Sequence, residues 1–283
     1  MTDAVTSSAE EKERRLSQWL TEQASLAIGY SGGVDSAYLA AVAVDVLGRD
    51  NVLAIIGRSA SYPASQWANA RDVGERIGLR IVEVDTDELN DPRYAANPTN
   101  RCYFCKTELW SRLRPVADEQ GIRTLADGSN ADDVHDHRPG AVAAREHGVA
   151  SPLADAGLTK ADIRERSRER GLPTWQQPSS PCLSSRLPYG TPVTVGRLRR
   201  VENAEAALRE LGISGDLRVR HFGPLARVEL SHAELTQWSA TERLQQIRDA
   251  VLRAGYTEVD VDPRGFRSGG MNELAGIAPL SRD

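Results

Sequence analysis

Cysteine is scarce in this sequence, with three among 283 residues. So small and odd a set cannot build a disulfide framework. The thiols are therefore read as reactive groups, metal ligands or small buried residues in a reducing compartment. Long apolar runs are lacking too. The longest apolar stretch near the start, Ala37–Leu47, is broken by Tyr38 and Asp45, far short of the ~20 apolar residues of a membrane span. Residues Met1–Arg15 are polar and, from Glu10 on, rich in charged residues, with no apolar segment of the signal-peptide kind. An excess of positive charge is also missing: the net charge is −5. That argues weakly against a broad nucleic-acid footprint, although a local basic patch stays compatible with it. There is no internal repeat and no low-complexity segment. With 40% hydrophobic and 27% charged residues, the chain has the balance of a globular protein. Its length fits one large domain or two smaller ones. A cytoplasmic protein working away from membranes is expected.

The hydropathy pattern alternates between short apolar strands and amphipathic helices. Helices are expected over 8–23, Ser36–Leu47, Ala64–Ile77, Thr107–Glu119 and Thr159–Arg170, the last with Thr159 as N-cap. Strands are expected over Ser25–Tyr30, Asn51–Ile56, Arg80–Val84 and Ile122–Ala126. Such alternation predicts an α/β fold, a parallel sheet covered on both faces. The pattern changes near Trp175. Pro173–Pro192 carries five prolines and several serines and reads as an irregular extended connection. Beyond it come helix Val195–Leu211, strands Asp216–His221 and Arg227–Leu230, helix Ala240–Ala254 and strand Glu258–Val261. These predict a smaller α+β C-terminal domain, with a boundary that divides the chain into 1–178 and 179–283. The tail after Phe266 reads as loose.

Ser31-Gly-Gly-Val-Asp-Ser36 lies between a predicted strand and a predicted helix. Gly32 and Gly33 permit a tight turn and close approach of an anion to the backbone. The helix beyond offers free N–H groups and a favourable dipole, and Ser31 and Ser36 add hydroxyls. Asp35 fits an anion site if it holds Mg²⁺, which bridges carboxylate and phosphate. The lysine of the Gly-x-x-x-x-Gly-Lys-Ser/Thr loop, which serves γ-phosphoryl transfer, is absent. The hexapeptide instead resembles the PP-loop of the ATP pyrophosphatases, the adenine nucleotide α-hydrolase-like fold. That resemblance implies cleavage of ATP between the α- and β-phosphates. Asp127-Gly128, opening an Asn/Asp-rich segment after a later strand, is placed in the same ATP crevice, because ligands gather at strand ends on one sheet edge. A plain Asn/Asp turn is the alternative.

Cys182 lies in Ser180-Pro-Cys-Leu-Ser-Ser-Arg-Leu-Pro-Tyr-Gly190, with Arg186 near enough in sequence to favour a thiolate. Cys102 and Cys105 form Cys-x-x-Cys. A zinc site completed by histidine, a redox dithiol, two unligated thiols and an iron–sulfur site all stay open for them. Arg218 and Arg220 alternate along a strand and share one face; the pair suits phosphate recognition or is a solvated face. Glu229, on the next strand, is a weaker candidate metal ligand.

Taken in order, the PP-loop, Asn100-Arg-Cys-Tyr-Phe-Cys-Lys106, the Asp127 segment, the Cys182 segment and Arg218-Val-Arg220 resemble the LarE family, ATP-dependent sacrificial sulfur transferases of nickel-pincer cofactor synthesis. The match spans most of the chain. The resemblance implies that ATP and Mg²⁺ activate a carboxylate of a pyridinium mononucleotide, and that Cys182 is the sulfur donor. It implies that Arg218 and Arg220 bind the substrate phosphate. It also allows a [4Fe–4S] cluster on Cys102, Cys105 and Cys182 whose sulfide is the sulfur source. A homo-oligomer is expected. Two other readings stand beside this one: a PP-loop tRNA thiolation enzyme, and a non-catalytic nucleotide-binding module, against which the intact Asp35 and Ser36 argue.

Overall fold

The computed structural model describes residues 7–135, 139–267 and 270–276. In chain order the helices and strands are α1 (Ala9–Thr21), β1 (Leu26–Gly29), α2 (Val34–Leu47), β2 (Val52–Arg58), α3 (Ala64–Ile77), β3 (Arg80–Asp85), α4 (Pro92–Ala95), α5 (Arg101–Glu119), β4 (Thr124–Ala126), α6 (Pro139–Glu146), α7 (Pro152–Asp155), α8 (Lys160–Glu169), α9 (Val195–Glu210), β5 (Leu217–Phe222), β6 (Leu225–Leu230), α10 (His232–Gln237), α11 (Thr241–Arg253), β7 (Glu258–Val261) and α12 (Gly270–Leu274). The chain forms two compact units. The first comprises 1–59, 64–88 and 102–180; the second comprises 60–63, 89–101 and 181–283.

The first unit is built on a four-stranded parallel sheet in the order β3-β2-β1-β4. Strands with near-continuous apolar sequence suit a sheet buried on both sides. Ala27, Leu53, Ile55 and Leu125 point to one face, where Trp110, Leu113 and Ala117 of α5 cover them. Leu26, Ile28, Val52 and Ala54, of opposite parity, are fully buried on the other. The chain steps outward from β1 to β3 and then returns past β1 to β4. The strand order therefore reverses between β1 and β4, and ligands of open α/β sheets bind beyond the carboxyl ends of the strands at such a point. The loops after β1 and β4 carry the two polar segments singled out above.

Three elements of this unit are pinned together by one carboxylate. Glu13 of α1 accepts hydrogen bonds from Tyr38 of α2 (2.5 Å) and from Arg166 (2.9 Å) and Arg170 (2.7 Å) at and beyond the end of α8. Burial alone raises its pKa, but these donors outweigh that and hold it down at about 2.

The second unit contains the mixed sheet β5-β6-β7, with β5 antiparallel and β7 parallel to β6. Leu217, Val219, Ala226, Val228 and Leu230 pack with Ala204 and Leu208 of α9 and Ile247 and Val251 of α11. The α+β expectation is met. Two local expectations differ. The helix read from Thr107 begins at Arg101, so Cys102 and Cys105 lie in its first two turns. The tail read as loose after Phe266 includes α12, where the Tyr189 hydroxyl donates to Asn272.

Candidate active site

The loop after β1 owes its shape to glycine. Gly32 has φ +66°, and a Cβ there would fall 2.4 Å from the Cα of Ala70 on α3, so conformation and packing both exclude a side chain. Gly33 is the N-cap of α2 and supplies no side-chain cap. The first intrahelical bond of this turn runs from the Ala37 N–H to the Gly33 carbonyl. The N–H groups of Val34, Asp35 and Ser36 thus precede the helical ladder and are the donors such a terminus offers to an anion. Ser36 Oγ accepts from the Ser31 N–H (3.3 Å) and lies 3.2 Å from Ser31 Oγ, tying the loop across its mouth.

Gly128, after β4, lies against this terminus: a Cβ would come 3.0 Å from Ser36 N and 3.2 Å from its Cα. The Asp127 carboxylate organises the turn, accepting from the Ser129 N–H (3.0 Å), Ser129 Oγ (2.9 Å) and Ser151 Oγ (2.9 Å). Asp35, one-quarter exposed, receives the Lys160 ammonium on Oδ2 at 2.5 Å and Asn130 Nδ2 on Oδ1 at 3.4 Å. The carboxylate that takes this ammonium lies in the first turn of α2, beside its free N–H groups. That donor set fits Mg²⁺ as it is usually held, through one or two carboxylates plus phosphate oxygens.

In the second unit, Cys182 is a half-buried free cysteine that caps the short 3₁₀ turn Leu183–Arg186. Arg186 is 2% exposed. Its Nη1 donates to the carbonyls of Pro181 (2.6 Å) and Cys182 (3.0 Å), while Nε and Nη2 grip Glu205 of α9 (2.9 and 3.0 Å). This guanidinium holds the backbone that carries the thiol. Arg220 donates to Ser185 O (3.1 Å) and pairs with Glu229 (2.8 Å), both side chains less than a tenth exposed. Arg218 lies over the Phe266 ring, 4.9 Å from its centroid. Burial above all, and then the neighbouring Arg186 and Arg220 charges, pull its pKa down to about 10. Two further stretches of chain, around Ser61 and over 89–101, grip this turn and the residues just after it. Tyr94 Oη is 2.7 Å from Ser184 Oγ, Arg101 donates to Ser184 O (3.1 Å), Asn97 donates to the carbonyls of Pro188 and Thr191, and the Leu183 N–H reaches Ser61 O (2.8 Å).

The family model for NAD synthase matches residues 11–118. An NH(3)-dependent NAD(+) synthetase of Methanococcoides burtonii is 44% identical over 71 residues, 25% of this chain and 27% of that protein. Two relatives extend over nearly everything. An uncharacterized protein of Synechocystis is 42% identical over 265 residues, 94% of this chain and 98% of its own length. The pyridinium-3,5-bisthiocarboxylic acid mononucleotide synthase of Lactiplantibacillus plantarum, LarE, is 33% identical over 270 residues, 95% of this chain and 97% of that enzyme. The chain belongs to the LarE family.

As a LarE-family protein it is an ATP-using enzyme that transfers sulfur, built on a PP-loop domain. Its predicted site residues fall into two sets. Ser31, Gly32, Gly33, Asp35, Ser36, Asp127 and Gly128 are brought together in the first unit. Cys182, Arg186, Arg218, Arg220 and Glu229 are brought together in the second. Cys102 and Cys105 sit three apart on α5, with Cys102 exposed and Cys105 half-buried. Among the described residues no three His, Cys, Asp or Glu are gathered as a metal site, and no helix is long and apolar enough to cross a membrane. Sequence reading missed Lys160, Glu205, Tyr94 and Arg101. Glu205 left a signal: it adjoins the apolar stripe Leu198, Val201, Ala204 and Leu208 of α9, an odd place for an acid without a partner. Lys160 left none beyond its position just after the N-cap.

Proposed function

We propose that this LarE-family chain adenylates a carboxylate of pyridinium-3,5-dicarboxylate mononucleotide and replaces an oxygen with sulfur taken from Cys182. The observation that carries the reading is the second-unit cluster: a free cysteine whose backbone is held by Arg186, bordered through Ser185 by Arg220, with Arg218 alongside. Guanidinium groups recognise phosphate bidentately, so a mononucleotide phosphate on Arg218 and Arg220 would anchor the substrate next to the thiol. Residues 1–178 would supply activation and 179–283 substrate binding and sulfur transfer, in the cytoplasm.

In the activation step the substrate carboxylate attacks the α-phosphorus of ATP. The bond to the bridging oxygen breaks and pyrophosphate leaves, giving an acyl-adenylate. The N-terminus of α2 would hold phosphate oxygens. Asp35 would hold Mg²⁺, which neutralises charge on the departing group. The Cys182 thiolate then adds to the acyl carbon and expels AMP, leaving a thioester. Loss of the Cys182 α-proton to a base breaks the Cβ–S bond. The electron pair stays on sulfur, releasing a thiocarboxylate, and Cys182 becomes dehydroalanine.

A second reading is favoured by the placement of Cys102 and Cys105 in the first two turns of α5, where residues three apart share a helix face. In that reading Cys102, Cys105 and Cys182 would hold an iron–sulfur cluster, which would supply the sulfur and spare Cys182. Intact-protein mass spectrometry after incubation with ATP, Mg²⁺ and the pyridinium substrate separates the two. The sacrificial route yields at most one sulfur per chain and a mass loss of one H₂S in the Cys182 peptide. Repeated turnover with added sulfide and an unchanged mass supports the cluster. Full thiolation by Cys182→Ala refutes both.

A further inference from the structure

We propose that Phe266 and α12 form a roof over Arg218 and Arg220 that lifts to admit a phosphate and, once closed, takes a phosphate monoester while shutting out a phosphodiester. The inference rests on the reading of these two arginines as the phosphate anchor and adds the residues that decide what the anchor accepts.

The first observation is burial. Arg218 and Arg220 are each 5% exposed, yet a group that takes a phosphate must be reached from solvent. Their cover comes from the C-terminal part of the second unit. The Phe266 ring lies against the Arg218 guanidinium, 4.9 Å from Cζ to the ring centroid. At Gly270, the first residue of α12, a Cβ would stand 3.8 Å from Arg220 Nη2 and 3.9 Å from Glu229 Oε1. The α12 backbone therefore passes close to the Arg220–Glu229 ion pair. Burying neighbouring guanidinium groups is unfavourable, and an anion held beneath the same cover offsets that cost.

The second observation is the way this cover is fastened. It starts at a bend. Gly265 has φ +75°, and a Cβ there would fall 2.9 Å from the Leu230 carbonyl oxygen, so the bend requires glycine. The Phe266 N–H donates to that same carbonyl at 2.7 Å. Past the bend, Arg267 pairs with Glu273 at 2.7 Å, inside the covering segment. The Tyr189 hydroxyl donates to Asn272 at 2.9 Å. Tyr189 belongs to the Pro-Tyr-Gly that follows the Cys182 turn, so this bond latches the roof to the sulfur-bearing segment. Neither Phe266 nor any residue of α12 joins the apolar core of the unit, and Leu274 is 60% exposed. A segment with few buried apolar contacts opens at low cost.

The specificity follows from the two covers. Phe266 closes one guanidinium face and the α12 backbone borders the other arginine. A phosphate monoester has a single carbon substituent, which can point outward while its remaining oxygens turn to the arginines. A diester carries a second substituent that would meet the roof.

The test is phenylglyoxal labelling of arginine in the full chain without ATP, mapped by peptide mass spectrometry. The probes are pyridinium-3,5-dicarboxylate mononucleotide and its phosphate methyl ester. In the wild type Arg218 and Arg220 should label far more slowly than Arg199, which is exposed on α9. Asn272→Ala removes the latch and should speed labelling of both about two- to tenfold, the effect of one hydrogen bond. Arg186, 2% exposed in the same unit but held by Glu205, should keep its slow rate. No acceleration, or equal acceleration at Arg186, overturns the proposal. In the wild type the mononucleotide should protect Arg218 and Arg220 and the methyl ester should not; in Phe266→Ala both should protect. A methyl ester that protects the wild type as well as the mononucleotide does overturns the specificity. Urea denaturation establishes folding; if Phe266→Ala is unfolded, Phe266→Leu, which keeps apolar bulk but lacks the flat ring, takes its place with the same expectation. Failure of the underlying reading looks different: loss of the latch would still speed labelling, but the mononucleotide would protect neither arginine in any variant.

Discussion

Replacing Gly128 by alanine isolates the contact between the two loops of the nucleotide site. Gly128 is not in the left-handed region, so a methyl group adds no backbone strain of its own. Its only obstacle is the N-terminus of α2, where the new Cβ would stand 3.0 Å from Ser36 N and 3.4 Å from the Asp35 carbonyl carbon. Both sides of the contact are backbone, and α2 is buried along most of its first three turns, so neither yields cheaply. The methyl either covers the Ser36 N–H or displaces the loop after β4. In each case one charge-assisted hydrogen bond to phosphate is lost, about 1.5–3 kcal/mol, or roughly ten- to a hundredfold in ATP affinity. Titration calorimetry with MgATP reads the loss, and urea denaturation run alongside, which should show some loss of stability from the tight backbone contact, establishes that the variant folds. Unchanged ATP affinity in a folded variant would refute the claim that the Ser36 N–H faces the nucleotide.

Gly32→Ala should be harsher, because the left-handed backbone costs about 1–2 kcal/mol before the overlap with Ala70 is counted; a Tm no lower than that of Gly128→Ala would contradict this. Glu13→Gln should destabilise the fold at neutral pH by about 3 kcal/mol, from a carboxyl pKa lowered from 4.5 to about 2 at about 1.4 kcal/mol per unit. A depressed pKa gives stability that is complete above the unfolded value and is lost as pH falls through the folded one. The difference between wild type and variant should therefore fade from about pH 4.5 to pH 2 in denaturant titrations, and a constant difference would refute it. Tyr94→Phe removes the hydroxyl beside Ser184 and should cost about 1 kcal/mol while speeding maleimide alkylation of Cys182; an unaltered labelling rate would mean that Tyr94 does not restrain the Cys182 turn.

The strands of the first sheet were legible because each is an apolar run ended by glycine or a charged residue, as in Leu26–Gly29 and Val52–Arg58. The phosphate loop was legible because its chemistry is local: six consecutive residues hold the glycines, the hydroxyls and the carboxylate. What depends on distant chain was not. Lys160 meets Asp35 across 125 residues, and only the return of the chain past β1 to β4 and α8 places it there. The start of α5 was missed: the helix expected from Thr107 begins at Arg101, close behind Pro98 and Asn100. The grip of Tyr94, Asn97 and Arg101 on the Cys182 turn has no periodicity at all; each partner is an isolated polar residue, buried only because the fold closes over it.

That grip makes the second unit discontinuous along the chain. A fragment made of residues 181–283 alone would contain the sulfur-bearing turn and the arginines but omit 89–101, and with it three of the side chains that hold the turn. During synthesis those residues leave the ribosome some eighty positions ahead of the turn they clasp. Splitting this protein, or grafting its C-terminal half onto another activating domain, would therefore have to carry the 89–101 segment along as a separate piece of cargo.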